Sequence, residues 1–206
     1  MKHIGLIYAG GAGTRLGGID KAAIEICGLT LERRARDHLS ACDEILISTG
    51  PQGIVGPHAL PDDPRDPPGP VAALNAALRW WLEQGRPSAI LITVAVDAPG
   101  LPETYAAVML EGVRRHGAVH ARCAGMDHPT HAAIGFERLE QALAARPKSP
   151  KAALALADSA PLDFADTPSQ PFRSVNTPDD LAHWQAHFGA VIEASKSGLG
   201  KPGGVR

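Results

Sequence analysis

The chain has 206 residues and a mass of 21.5 kDa, and 20 Lys plus Arg against 22 Asp plus Glu leave a formal charge of −2. This near-neutral balance excludes a global pull on nucleic acid or on an anionic membrane, so a bound polyanion must be held locally. Hydrophobic residues at 44% with aromatics at 4% give an aliphatic core, and exclude disordered, collagen-like and disulfide-stapled classes.

Ile4 to Tyr8 is a short apolar run that ends in Ala9-Gly10-Gly11, the pattern of a buried strand feeding a tight turn. Ala22 to Cys27 reads as a short strand and Leu29 to Leu39 as a helix. Glu44 to Ser48 is a second core strand, because consecutive Ile45, Leu46 and Ile47 suit a strand covered on both faces. Residues 51–70 hold too much proline for a helix interior or a central strand, and read as a loop with a short strand near His58 to Leu60. A helix starts after Pro70. Val71, Leu74, Leu78 and Trp81 give it one buried stripe, and Trp80 covers an edge. Ala89 to Val96 is the most apolar run and the expected central strand; it ends at Asp97, and Pro102 opens the next helix, to about His116.

Strands are expected at Ala118 to Ala124 and Thr130 to Phe136, then helices at Glu137 to Ala145 and Lys151 to Ala157. Leu162 to Phe164 and Phe172 to Val175 read as small strands. In Thr177-Pro178-Asp179-Asp180 the threonine caps, the proline takes the first helical position and the aspartates suit the positive helix end. That last helix is expected to reach about Ala194. The reading is one domain over 1–194 and a flexible tail over 195–206. The β-α alternation predicts a three-layer α/β/α sandwich on a mostly parallel, Rossmann-like sheet.

Cys27, Cys42 and Cys123 lie far apart and form no C-x-x-C, which reads as free thiols in a reducing cytoplasm. No apolar run reaches the roughly 18 residues that a membrane helix needs. A cytoplasmic protein is expected. His183 and His187 are four apart on the last helix, but no third ligand is in sequence reach, and they read as a solvated face.

The sharpest feature is Tyr8 to Lys21, Y-A-G-G-A-G-T-R-L-G-G-I-D-K. A strand enters it and five glycines follow within nine residues. Glycines let successive N–H groups turn inward onto phosphate oxygens, and Arg15 and Lys21 add two cations at the same mouth. Neither the G-x-x-x-x-G-K-[ST] phosphate loop nor the dinucleotide fingerprint can be read here. The bland alternative is a flexible turn with two solvated cations. In an open α/β sheet ligands sit outside the carboxyl ends of the strands, where this loop lies.

Tyr8 to Lys21 resembles the signature loop of nucleotidyltransferases that activate a phosphorylated cofactor or sugar, and is most similar to the molybdenum cofactor guanylyltransferase family. Ala9-Gly10-Gly11, Arg15-Leu16-Gly17-Gly18 and Asp20-Lys21 stand in step with that loop. Four later segments match in order: Pro61-Asp62-Asp63 leading into Gly69-Pro70-Val71-Ala72; Val96 to Pro102; Asp127-His128-Pro129-Thr130; and Val175 to Leu181. The resemblance spans about residues 3–188.

It implies a sheet of the nucleotide-diphospho-sugar transferase type and transfer of GMP from GTP to the terminal phosphate of molybdopterin, with release of pyrophosphate. It implies Arg15, Lys21 and Asp97 as catalytic residues, with Asp97 holding Mg²⁺. Tyr8, Ala9, Gly10, Gly11, Gly13, Lys21, Ser48 and Asp62 or Asp63 would bind the nucleotide. His128, Pro129, Thr130 and Asn176 would line the pterin side. A molybdenum-insertion protein and molybdoenzyme chaperones are the implied protein partners, with no nucleic acid and no membrane. The chain departs from the family at Tyr8 for leucine, Ser48 for asparagine, Ala73 for glycine and Ser174 for asparagine. The alternatives are a cytidylyltransferase for the same cofactor, another sugar- or cofactor-phosphate nucleotidyltransferase, and a nucleotide-binding protein without catalysis.

Overall fold

The computed structural model describes residues 1–10, 20–50, 58–167 and 170–198. Strand β1 (Lys2–Tyr8) opens the chain. The short strands β2 (Glu25–Ile26) and β3 (Leu29–Thr30) precede helix α1 (Leu31–His38). Strands β4 (Glu44–Gly50) and β5 (Ala59–Pro61) lead to α2 (Pro70–Glu83), then β6 (Ala89–Ala95) and α3 (Tyr105–His116). Next come β7 (Ala118–Cys123), β8 (Met126–Gly135), α4 (Phe136–Ala144), α5 (Pro150–Leu156), β9 (Ala160–Phe164) and α6 (Pro178–Gly198).

Seven strands form one sheet in the order β5-β4-β1-β6-β8-β7-β9. Of these, β8 alone runs against its neighbours, so the sheet is mostly parallel as expected. Registers such as Leu6 opposite Leu46 and Thr93 bring the ends of β1, β4 and β6 to one edge. Alternation along the strands splits the core in two. Ile7, Ile90, Ile92 and Val94 pack with α1, α3 and Trp184 of α6. Ile4, Leu6, Leu46 and Leu91 pack with α2, α4 and α5 on the other face. These strand side chains are at most 2% exposed, and burying each contributes about 1.5–3 kcal/mol. That is the expected α/β/α sandwich.

The sheet parts on one side of its carboxyl edge. His120 pairs with Ala132 but Ala121 pairs with His128, so Pro129, Thr130 and His131 leave the ladder as a bulge. Pro129 has no N–H to give a ladder, which suits it to this place. Pairing of β6 with β8 ends at Ile92 opposite Ala133. Side chains take over beyond that point. The Thr93 hydroxyl donates to the Thr130 carbonyl (2.9 Å) and accepts from the Ala132 N–H (3.1 Å), and the Ala95 N–H donates to His131 Nε2 (3.4 Å).

Several expected elements differ. Ala22 to Cys27 is not one strand: Lys21–Ala23 is a turn of 3-10 helix, with the Asp20 carboxylate accepting from the Ala22 N–H. β2 then pairs with β3 across Cys27 and Gly28, both with positive φ, which makes a two-residue hairpin. The helix therefore starts at Leu31, capped by Thr30, and not at Leu29. The helix expected at Pro102 begins at Tyr105. The strand expected from Thr130 begins at Met126, and Phe136 belongs to α4. Phe172 to Val175 forms no strand, because the Val175 N–H is spent on the Asp97 carbonyl (2.7 Å) instead of on a ladder. Helix α6 continues to Gly198, beyond the expected boundary at 194; residues 199–206 of the expected tail lie outside the described residues.

Candidate active site

A cleft of about 340 Å³ opens at the carboxyl ends of β1, β4, β5 and β6. Its wall includes Tyr8, Gly10, Lys21, Ser48, Asp62, Asp97, Thr130 and Ser174, together with Gly69 and Pro70 at the start of α2. The first end of α2 thus points its positive dipole end at the cleft.

The chain leaves β1 through a close crossing. The Ala9 N–H donates to the Ser48 carbonyl (3.1 Å), and the Val96 N–H donates to the Tyr8 carbonyl (3.1 Å). A Cβ on Gly10 would stand 2.7 Å from the Gly50 nitrogen, so only glycine allows this approach. The residues that follow, with Gly11, Gly13 and Arg15 among them, lie outside the described residues. Tyr8 lines the floor of the cleft. Burial pushes its phenol up, against the smaller pull of a hydrogen bond with Thr93.

The central cluster joins three distant parts of the sequence. The Lys21 ammonium donates to Asp97 Oδ2 (2.8 Å) and to Asn176 Oδ1 (2.6 Å). The lysine and aspartate side chains are 15% and 20% exposed. Each element is fixed from outside. The turn after Asp97 is held by His38, whose Nε2 meets the Pro99 carbonyl at 3.2 Å. Burial holds the His38 imidazole below its usual range, so the neutral ring donates through Nε2–H. The ring of Trp184, fully buried, lies where a Cβ on Gly100 would have to be.

Asn176 is fixed by Asp180. The Asp180 carboxylate accepts from the N–H groups of Asn176 (3.1 Å) and Thr177 (3.0 Å), from the Thr177 hydroxyl (2.8 Å), and from Arg173 Nε and Nη2 (3.1 and 3.0 Å). The Asp180 N–H in turn donates to Thr177 Oγ1, which makes a capping box. Burial by itself would raise the Asp180 carboxyl; the donated hydrogen bonds outweigh it and bring the pKa down to about 2.

Asp62 and Asp63, adjacent in sequence, separate in space. Asp62 lines the cleft, and its Oδ1 is 3.5 Å from the buried Ser48 hydroxyl. Burial holds its carboxyl above the usual range, against the Ser48 hydrogen bond. Asp63 is gripped by Arg65, which donates from its Nε and backbone N–H at 2.9 Å each. Those bonds hold its carboxyl far below the usual range. Asp66 ties the same loop to α2 by accepting from Asn75 (3.0 Å) and Arg79 (2.7 Å).

On the other side of the cleft, the bulge turns Thr130 into the wall. Pro129 lines a small apolar hollow beneath, which it shares with Tyr8 and Leu74. The His128 ring stacks on Phe172 at 4.5 Å and is kept from protonation mainly by burial. His131 is buried, with its pKa pulled down to about 3 by burial first. It is therefore neutral, and because its Nε2 accepts from Ala95 its Nδ1–H donates to Thr130 Oγ1 (3.3 Å).

Sequence reading missed Ser174 as a wall residue and Asp180, His38, Thr93 and His131 as supports. It missed the burial of Trp184, although Leu181, Trp184 and Phe188 recur at helical steps. His183 and His187 both pack edge-on against Trp184. Among the described residues no group of three or more His, Cys, Asp or Glu could hold a metal ion, and no helix is long and apolar enough to cross a membrane.

Comparison with known proteins identifies the family. The family profile described as the MobA-like NTP transferase domain matches residues 5–161. A molybdenum cofactor guanylyltransferase of Rhodobacter capsulatus is 31% identical over 186 residues, covering 88% of this chain and 94% of the relative. Another so named, from Cereibacter sphaeroides, is 32% identical over 193 residues, with 88% and 95% covered. The molybdopterin-guanine dinucleotide biosynthesis protein A of Archaeoglobus fulgidus superposes with a TM-score of 0.66 at 18% identity, over 91% of this chain and 99% of that one. A nucleotidyl transferase of Methanothermobacter thermautotroptrophicus gives 0.67 at 19% identity, over 92% and 99%. At these identities the superpositions establish a shared fold.

Proposed function

Because the chain belongs to the MobA-like NTP transferase family, among its molybdenum cofactor guanylyltransferases, we propose that it transfers GMP from GTP to the terminal phosphate of molybdopterin. An oxygen of that phosphate attacks the α-phosphorus of GTP, the bond from the α-phosphorus to the β-bridging oxygen breaks, and pyrophosphate leaves. Both reactants are anions, so the chain must neutralise charge and align them. The observation that carries the reading is the convergence of Lys21, Asp97 and Asn176 beside the glycine-opened end of β1.

The amides of Gly10, Gly11 and Gly13 hold the triphosphate. Lys21 and Arg15 take the β- and γ-phosphates and the charge that grows on the leaving group. Tyr8 and Ala9 form the floor under the base. Asp62, rather than Asp63, reads guanine: its carboxylate accepts from N1–H and the N2 amino group together, and its Ser48 partner orients it. Thr130, Pro129 and His128 form the acceptor side, and Asn176 stands at its border, holding the Lys21 ammonium. Asp97 is the proposed ligand of a divalent ion, Mg²⁺, which when bound supplies positive charge between phosphates. One carboxylate fits such an ion when the remaining ligands are water and phosphate oxygens. A cytoplasmic setting is proposed, with a molybdenum-insertion protein and molybdoenzyme chaperones as the partners on either side of the reaction.

The test is pyrophosphate release with molybdopterin and either GTP or CTP. Release with GTP is expected to be about 100-fold faster or more, because a site that hydrogen-bonds its substrate discriminates strongly. Equal or faster release with CTP overturns the guanylyl reading.

A further inference from the structure

The Lys21 ammonium rests on the oxygen that a divalent ion would need. It lies 2.8 Å from Asp97 Oδ2, and Asn176 Oδ1 holds it there from the other side at 2.6 Å. Two of its three donors are spent on these contacts. The contact is largely shielded from solvent, so the charges on Lys21 and Asp97 are little screened. Asn176 is itself locked by Asp180, and the Asp97 backbone by Val175. The lysine is thus held against the carboxylate by a rigid frame. A divalent ion placed on Asp97 alone would sit beside a full positive charge, with no third acidic, histidine or cysteine ligand among the described residues to offset it.

We propose that Lys21 guards Asp97 against a divalent ion until nucleotide arrives, so that ion and nucleotide enter together. This rests on the reading of Asp97 as the ion's ligand. Phosphate oxygens do two things at once in this scheme. They give the Lys21 ammonium a stronger anionic partner than one carboxylate, and they bring ligands that complete the ion's shell. Asn176 lets go of the same ammonium, so the lysine swings from the Asp97–Asn176 frame to the triphosphate. The ion is therefore a partner of the nucleotide and not a resident of the free protein.

The test is a titration of Mn²⁺ into the nucleotide-free protein, read by loss of the free-ion electron paramagnetic resonance signal. Wild type is expected to bind Mn²⁺ at least about tenfold more weakly than Lys21→Met and Lys21→Gln, both checked for fold by thermal melting. With GTP at equal concentration on both sides of a dialysis membrane, the side holding wild type is expected to gain Mn²⁺, and equal Mn²⁺ on both sides overturns the joint entry of ion and nucleotide. Equal affinity in wild type and a folded variant overturns the inference, and micromolar binding by nucleotide-free wild type overturns it without any variant. Asp97→Asn in the GTP complex separates the two claims. If it leaves Mn²⁺ binding unchanged, the reading of Asp97 fails. If it weakens binding while wild type and Lys21→Met match without nucleotide, only the guarding role of Lys21 fails.

Discussion

The two sides of the cleft are held by different physics. At the ends of β1 and β6 the wall is built from charge: Lys21, Asp97 and Asn176 meet, and Asp180 with Arg173 braces them. Beside β8 the wall, formed by Thr130, is backed by rings and neutral hydrogen bonds: His128 on Phe172, Phe172 against Phe164 and His131, and His131 on Thr130. A wall of charge can change partners when an anion arrives, because each contact is exchangeable. A wall of packed rings cannot, because its stability comes from close contact. The charged side is therefore suited to the moving phosphates, and the ringed side to a fixed surface for the acceptor.

Substitutions that break this contrast should separate activity from stability. The largest effect is expected on the ringed side. Phe172→Ala removes a buried ring that touches three others and should cost about 3–5 kcal/mol in chemical denaturation. A loss under 1 kcal/mol would mean that the rings do not carry that wall. On the charged side, Asp97→Asn should lower turnover by about 10²–10³-fold, with the melting temperature changed by only a few degrees. Turnover close to wild type would remove Asp97 from the chemistry.

A smaller effect sharpens the role of the brace. Asp180→Ala removes a capping-box carboxylate and should cost about 1 kcal/mol at pH 7. The Asp180 carboxyl sits at about 2, below its ordinary value of 3.8. Its contribution is thus fully present above pH 3.8 and is lost as pH falls through about 2. The stability gap between wild type and Asp180→Ala should close over that window; a constant gap would contradict the assignment. The smallest effect is expected at Asp63. Its Arg65 partner is 87% exposed, so Asp63→Ala should leave stability and GTP affinity close to wild type. A tenfold loss of GTP affinity would instead make Asp63 the base reader.

The charged side was the legible one. Asp97 follows the most apolar strand and Lys21 closes the glycine run, so both could be placed from local pattern, whereas Asn176 was reached only through the family resemblance. The parallel strands β1, β4 and β6 were equally clear, because continuous apolar runs belong to strands covered on both faces. The ringed side was not legible. The bulge at Pro129, Thr130 and His131 depends on a register shift between β7 and β8, and a single proline does not announce one. Phe172 to Val175 has the composition of a strand but spends its Val175 N–H on the Asp97 carbonyl, a contact across 78 residues that no local pattern records. Cys27-Gly28 was lost inside an apolar stretch because a non-glycine residue takes the first positive φ of the turn. The choice between Asp62 and Asp63 turned on Arg65, whose reach back onto Asp63 leaves Asp62 for the cleft.

The most direct test of the central claim is a calorimetric titration with GTP and with CTP, each with Mg²⁺, on wild type and on Lys21→Ala. The account predicts tighter binding of GTP than of CTP, and at least about tenfold weaker GTP binding in the variant. CTP binding as tightly as GTP, or Lys21→Ala binding GTP as wild type does, would contradict it.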